Sequence, residues 1–375
     1  MFDVVVVGAG FAGLSCAREL QAYGYSVAVF EKSRGLGGRA ATRRVDQHCF
    51  NYGARYFSAT GAATQALLDE LTDDSNCETP ELVSWPRVRI TIGADGALTP
   101  QSVSEGYVPR TGMTAIAKYL AQDLDITRQY RVQALCPGQD GSWDIYVESQ
   151  ADFVARTRAV VLAIPAPQAQ LLLTPLKDLG LPHDFFNAVQ SVEFDPCFTV
   201  ITGYSSEQVI APSTTGKPII GNSMISGQAD ELCFSQDSEI QWVGVVRANP
   251  VCTQSDHEST ETETDNSTQP LILVTQSSPS FAQEHIETEN RQSVGQKLLL
   301  LLSHQLQSSQ ISHPNWMQVH LWRYALCRQP ITSPFLVAET PGIIGCSGDW
   351  CGGHQIDHAI ASGISLSRAL REHLG

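Results

Sequence analysis

The sequence predicts an α/β fold in which a parallel sheet wound with helices is interleaved with a smaller antiparallel-sheet α+β unit. Three features carry that expectation. A run of β-branched residues, Asp3 to Val7, leads at once into Gly8-Ala9-Gly10-Phe11-Ala12-Gly13 and then into a helical pattern. A second strand-to-helix transition closes the chain between Thr340 and Leu374. Between residues 166 and 320 the glycine-rich pattern is absent, and separate strand-like segments replace it. A chain of 375 residues is long enough for two interlocked units.

Composition narrows the function. Hydrophobic residues make up 42% and charged residues 17%, which is a globular balance and excludes general disorder. Subtracting 39 acidic from 24 basic residues gives a net charge of −15, which repels phosphate backbones and anionic lipid, so nucleic acid and membranes are not expected partners. The ten cysteines show no CxxC pair and no Cys/His knuckle spacing, so neither a metal site nor a disulfide framework is expected. Cys16 and Cys327 sit among apolar neighbours, as unpaired thiols do in a reducing compartment. The apolar run ending at Val7 is too short for a signal-peptide core, and no stretch offers 18 consecutive apolar residues. The expectation is a soluble, cytoplasmic protein.

Asp3 to Val7 reads as a strand buried on both faces. In the glycine turn, Gly8 permits the sharp bend, Gly10 lets backbone beside Phe11 and Ala12 approach a pyrophosphate, and Gly13 lets helix pack on strand. The helix is expected from Phe11 to Tyr23, with Leu14, Ala17 and Leu20 on one face and Gly24 stopping it in a left-handed conformation. A second strand, Ser26 to Phe30, ends in Glu31, eighteen residues beyond Gly13, where the ribose-binding acid of a βαβ unit belongs. An acid there favours FAD or NAD over NADP. Lys32 follows, and then Arg34-Gly35-Leu36-Gly37-Gly38-Arg39, whose backbone donors and Arg39 could hold a second stretch of diphosphate.

These motifs together resemble the FAD-binding start of the amine oxidase superfamily. Asn51-Tyr52-Gly53-Ala54-Arg55-Tyr56-Phe57 resembles the Asp-x-Gly-Ala-Gln-Tyr-Phe stretch beside the flavin ring in its renalase-like branch, with Asn51 in place of the acid and Arg55 in place of the glutamine. Gly348-Asp349 resembles the second FAD motif, and Gln355-Ile356-Asp357 opens a helix to Leu374 whose start is implied to face the flavin pyrimidine, where its dipole would stabilise negative charge. Trp322-Arg323-Tyr324-Ala325 resembles a further family segment. So does Val108 to Met113 with the amphipathic helix Ala115 to Leu124 after it. Arg131-Val132 opens a strand implied to meet adenine, and Val160 to Ile164 is a buried strand ending on the flavin side.

The resemblance implies a Rossmann-type, GR2-like FAD-binding domain built from residues 1–82, 108–166 and 318–375, and a substrate domain from 83–107 and 167–317. In the latter, Phe198 to Thr202, Ile240 to Arg247 and Leu271 to Thr275 are expected to form an antiparallel sheet roofing the flavin, and Gln296 to Leu306 a core helix. Residues 252–269 read as an acidic solvated loop, in which the sequon Asn266-Ser-Thr is coincidental. The implied cofactor is noncovalent FAD, because the covalent-cysteine motif is not recognisable around Cys351. The implied activity is that of an oxidase or dehydrogenase taking a hydride from a small molecule, with oxygen reduced to hydrogen peroxide. That substrate class is a reduced nicotinamide dinucleotide isomer, which must enter the flavin cavity itself, since no second GxGxxG exists. Arg55, Tyr56, Arg323 and His354 are the candidate catalytic residues, with His354 and His358 flanking Asp357 as acid–base candidates. The rival readings are an amine oxidase or desaturase-like enzyme and a non-enzymatic FAD-binding scaffold.

Overall fold

The computed structural model describes residues 1–45, 48–73, 78–85, 88–93, 97–101, 106–148, 150–205, 230–247 and 271–375. The acidic tract 252–269 and its sequon lie outside them. Two sheets dominate. In the first, strand Phe2–Val7 pairs in parallel with Val27–Glu31 on one side and Ala155–Leu162 on the other. Val27–Glu31 then pairs in parallel with Asp125–Arg128, and Ala155–Leu162 with Ile343–Cys346. Parallel pairing needs crossovers that cover both faces, and apolar clusters do lie on both. Val4, Val6, Leu14, Leu20 and Leu366 belong to one cluster; Val5, Val7, Trp143, Leu173 and Phe186 belong to the other.

Helix Phe11–Ala22 buries Leu14, Ala17 and Leu20 as the spacing predicts, and Gly24 follows it with φ of 91°. Gly8 adopts a φ of 108° that a side chain would resist. Gly13 brings the helix so close to the turn that an added Cβ would lie 2.0 Å from the Gly8 carbonyl oxygen.

The second sheet runs, edge to edge, Trp316–Gln329, Glu193–Tyr204, Leu271–Ser277, Ile240–Arg247, Glu231–Phe234, Arg89–Ile92 and Leu98–Gln101. All pairs are antiparallel except that between Glu231–Phe234 and Arg89–Ile92. The three strand segments expected from the middle of the chain are neighbours here. One face packs on helices Pro279–His285 and Arg291–Gln305 through Val200, Leu273, Phe281, Leu298 and Leu302. The other carries Ile201, Trp242 and Val274 against Phe50. Strand Trp316–Gln329 belongs to this sheet, although a division at residue 318 assigns most of it to the first unit. Conversely, helices Ala166–Leu173 and His183–Gln190 pack on the first sheet through Ala169, Leu173 and Phe185.

Several boundaries differ from expectation for local reasons. The helix expected to reach Leu124 spans Thr114–Leu120, because the chain turns through Asp123 at φ 60° to enter the parallel strand Asp125–Arg128. The strand expected over Val160 to Ile164 spans Ala155–Leu162, its N-terminal half paired with Trp143–Val147. Cys49 is disulfide-bonded, although no disulfide framework is expected from the cysteine spacing; spacing along a chain carries no information on pairing in space. Cys16, Cys136, Cys197, Cys233, Cys327, Cys346 and Cys351 are free. No described helix is long and apolar enough to cross a membrane.

Gly13→Ala is expected to lose about 1–3 kcal/mol of stability through overpacking. Gly35→Ala, with nothing within 4 Å of its added Cβ, should change it by less than about 0.5 kcal/mol. Urea unfolding of the two variants distinguishes them, and equal losses would contradict the packing described.

Candidate functional site

The glycine turn and the loop after the second strand form one cradle. Both Glu31 oxygens are anchored, Oε2 accepting from the Ala9 amide at 2.8 Å and Oε1 from the Ser33 amide at 2.7 Å. Each oxygen keeps a further acceptor site for a ribose hydroxyl. The Gly37 amide donates to the Ala9 carbonyl at 2.8 Å, which lays residues 34–39 against the turn. Gly38 faces Gly10, its added Cβ only 3.6 Å from the Gly10 Cα. Over Gly10 itself an added Cβ would meet nothing within 4 Å, and Gly10 starts helix Phe11–Ala22 with no side chain capping it. An open space at an uncapped helix start suits a pyrophosphate. Lys32 donates to Gln168 Oε1 at 2.9 Å, and burial pulls its ammonium pKa down. Val132 is buried on the strand Val132–Pro137.

The chain ends meet at the same cradle. Arg39 Nη2 donates to Asp349 Oδ1 at 2.6 Å, and its guanidinium lies 5.3 Å from the Phe194 ring centre. The Gly348 amide donates to Ser362 Oγ at 3.1 Å, fixing the second motif to helix Ile356–Leu374. Gln355 begins that helix without a side-chain cap, which leaves its first amides to a partner outside the helix. One oxygen of the Asp357 carboxylate is engaged by another helix: Oδ1 accepts from the Thr64 amide at 3.0 Å and the Thr64 hydroxyl at 2.9 Å, at the first turn of helix Ala62–Leu71. His354 is exposed, its ring 6.3 Å from and nearly parallel to that of His358. Cys351 is buried, and burial pushes its thiol pKa up, which disfavours the thiolate needed for a covalent flavin link.

The segment from Asn51 to Phe57 lies between the two sheets. The Tyr52 carbonyl accepts from Thr199 Oγ1 and from Trp322 Nε1, both at 2.9 Å. The Gly53 carbonyl accepts from Gln276 Nε2 at 3.0 Å, and the Ala54 amide donates to the Arg39 carbonyl at 2.8 Å. Asn51 uses both ends of its amide: Oδ1 accepts from Thr42 Oγ1 and the Met113 amide, and Nδ2 donates to the Arg55 carbonyl at 3.1 Å. An ionised aspartate could not make that last bond. Arg55 donates from Nε to Gln276 Oε1 at 3.0 Å and lies 4.2 Å over the Trp242 ring. The Tyr56 hydroxyl accepts from Arg89 Nη2 at 2.8 Å, and Arg89 in turn pairs with the fully buried Glu231. Tyr52 stacks on Trp322 at 5.1 Å and 29°, with His320 edge-on to Tyr52. Arg323 lies apart, exposed and paired with Glu287 at 2.8 Å.

Comparison with known proteins agrees with this arrangement. Residues 6–71 match an NAD(P)-binding Rossmann-like domain, and residues 97–370 match the flavin-containing amine oxidoreductases. The chain belongs to the flavin-containing amine oxidoreductase family. FAD is therefore its cofactor, and the open cradle above Gly10, the anchored Glu31 and the uncapped helix starts at Gly10 and Gln355 fit that group. Putrescine oxidase of Kocuria rosea is 46% identical over 69 residues, which are 18% of this chain and 14% of that protein. The curated relatives matched first share only 14% to 19% of their own length with this chain. Two solved structures share the fold over nearly all of both chains. Cyclohexylamine oxidase from Brevibacterium oxydans has a TM-score of 0.66 at 13% identity, covering 100% of this chain and 99% of its own. Putrescine oxidase bound to putrescine has 0.65 at 14%, covering 99% of each.

Sequence reading finds the glycine loops, Glu31, Arg39 and Asp349, which the fold gathers into one cradle. It misses Thr199, Gln276, Trp242, Glu231, Arg89 and His320, which the roof sheet adds around residues 52–57. Alternation along each strand could have shown that they share a face, but not which face meets the loop.

His320 is half-buried beside Tyr52 and Trp322, and desolvation, helped by Arg43 and Arg291, pushes its pKa down to about 4 from 6.5. Below pH 6.5 the unfolded chain takes up this proton while the folded one stays neutral until about pH 4, so stability falls across that window as pH drops. The unfolding midpoint of His320→Gln is expected to fall less steeply than wild type over the same range. Parallel pH dependences would contradict a buried neutral His320.

Proposed function

We propose that this protein is an FAD-dependent oxidoreductase that takes a hydride from a small organic molecule held between residues 52–57 and the roof sheet. FAD supplies the hydride acceptor, and oxygen is the terminal oxidant, released as hydrogen peroxide. The observation that carries the choice of substrate is the position of the lysines. Among the described residues, Lys32 bonds to Gln168, Lys118 is exposed on helix Thr114–Leu120, Lys177 lies over Phe186, and Lys297 contacts His285 and Phe281 on the helix-covered face of the roof. Lys217 lies outside the described residues, and none of the other four stands beside Tyr52 and Trp322. His320 is there, but a pKa of about 4 makes it a weak base at neutral pH.

An alkylamine arrives protonated and must lose that proton before its hydride can leave. A dihydronicotinamide needs no such step, because its product cation is an aromatic pyridinium. Orientation and electrostatics then suffice, and Tyr52 and Trp322, stacked on each other with Arg43 over the Tyr52 ring, put aromatic and cationic groups beside the segment 52–57. The reading favoured is thus oxidation of reduced nicotinamide dinucleotide isomers, as in renalase-like enzymes. Amine oxidation is the second reading, supported by similarity to proteins named putrescine oxidase and cyclohexylamine oxidase and by the same aromatic pair, which could hold an alkyl chain.

Anaerobic mixing of the FAD-loaded protein with the 2- and 6-dihydro isomers, with ordinary NADH and with a panel of amines tests this. Rapid loss of the oxidised-flavin absorbance with the isomers, and peroxide on admitting air, is the expected result. Bleaching by amines alone would overturn it in favour of the second reading.

A further inference from the structure

The roof above residues 52–57 contains an unusual distribution of charge. Glu231 is completely buried, and both of its oxygens are occupied, Oε1 by Arg89 Nε and Oε2 by Trp242 Nε1 at 2.7 Å. Arg89 and Glu231 therefore cancel each other in direct contact. Arg55 is in no such contact: Glu231 attracts it through space, but among the described residues no carboxylate bonds to it, and its bonding is the one Nε donation to Gln276 and the stack on Trp242. Among the described residues, neither terminal nitrogen, with four N–H donors between them, has a hydrogen-bond partner.

The guanidinium is nonetheless deep in the protein, where loss of hydration pulls its pKa down, while the residue keeps part of its surface accessible. Holding a cation in such a place without a carboxylate bonded to it is costly. Its orientation is also fixed, from one edge by Gln276 and from one face by Trp242, so little freedom remains to be lost when a ligand binds. The same position presents a guanidinium fork where a cationic substrate would be repelled.

From this geometry we propose that Arg55 is a specificity-determining residue that binds an oxyanion of the substrate, a carboxylate or a phosphate, through its two free terminal nitrogens. The proposal rests on the reading that substrate binds between residues 52–57 and the roof, and it narrows that substrate to an anion-bearing molecule. Arg55 bonds the oxyanion in its forked geometry, and Trp242 holds the plane of the fork. Arg89 acts at one remove, occupying Glu231 Oε1, so that this carboxylate reaches Arg55 only through space.

The test is titration of the FAD-loaded protein with benzoate, inorganic pyrophosphate and neutral benzamide, followed by the visible flavin spectrum, in wild type, Arg55→Gln and Arg55→Lys. The wild type is expected to prefer at least one anion over benzamide, a benzoate preference indicating a carboxylate and a pyrophosphate preference a phosphate group. Arg55→Gln should weaken binding of that anion by roughly tenfold to a hundredfold and leave benzamide unchanged, with Arg55→Lys recovering part of the loss. Unchanged FAD content and melting temperature in Arg55→Lys separate this from a folding defect. Equal affinity of wild type for anions and benzamide would overturn the proposal. So would a lowered flavin reduction potential in Arg55→Gln with anion affinity intact, since that would set the charge against the ring. An anion preference without bleaching by dihydronicotinamides supports Arg55 and overturns the nicotinamide reading, whereas bleaching without the preference does the reverse.

Discussion

Three backbone carbonyls, those of Tyr52, Gly53 and Arg55, set the segment between the two sheets, and the first two of them tie it to the roof. Residues 52–56 form neither helix nor strand, so their polar groups must be satisfied from outside. Thr199 and Trp322 serve the first carbonyl, Gln276 the second and Asn51 the third. Three of these four side chains come from strands of the roof. The chain around the proposed flavin edge therefore takes its shape from the unit that would also bind substrate. A shift of the roof strands would either move the loop or leave buried carbonyls without donors, each at a cost of about 1–3 kcal/mol.

A second set of contacts ties the chain ends into the same place. Arg39 and Asp349 are 310 positions apart and form a partly buried ion pair. Asp357, at the start of the last long helix, spends one carboxylate oxygen on the first turn of helix Ala62–Leu71. The helix starts at Gly10 and Gln355 carry no side-chain caps, and that is where a dinucleotide and its ring would find amide donors. Side chains thus build the frame, while backbone groups are left for the cofactor.

How much of this was legible in the sequence follows from how local each signal is. The turn Gly8–Gly13, Glu31 and the closing Gly348-Asp349 are short motifs whose spacing follows from a strand and a helix in sequence, and the sheet assembles around them as their patterns imply. Asp357 reads equally well as a cofactor contact or a helix-start acid, because only the third dimension brings Thr64 to it. Arg323 and Arg55 are both arginines beside aromatics in sequence, yet strand Trp316–Gln329 turns one outward to Glu287 while the loop carries the other onto Trp242. Glu231, Arg89 and Gln276 come from strands separated by up to about 190 residues, joined only by sheet pairing. Periodicity alone does not carry that register.

Residues 52–57 are thus proposed as the junction between cofactor and substrate units. Amide hydrogen exchange of the protein with and without FAD tests it most directly. FAD is expected to slow exchange at residues 8–14, 34–39, 52–57 and 349–358 together, with the roof strands that donate to the Tyr52 and Gly53 carbonyls following. Protection confined to the glycine turn and its helix, with residues 52–57 exchanging at the same rate in both states, would contradict it.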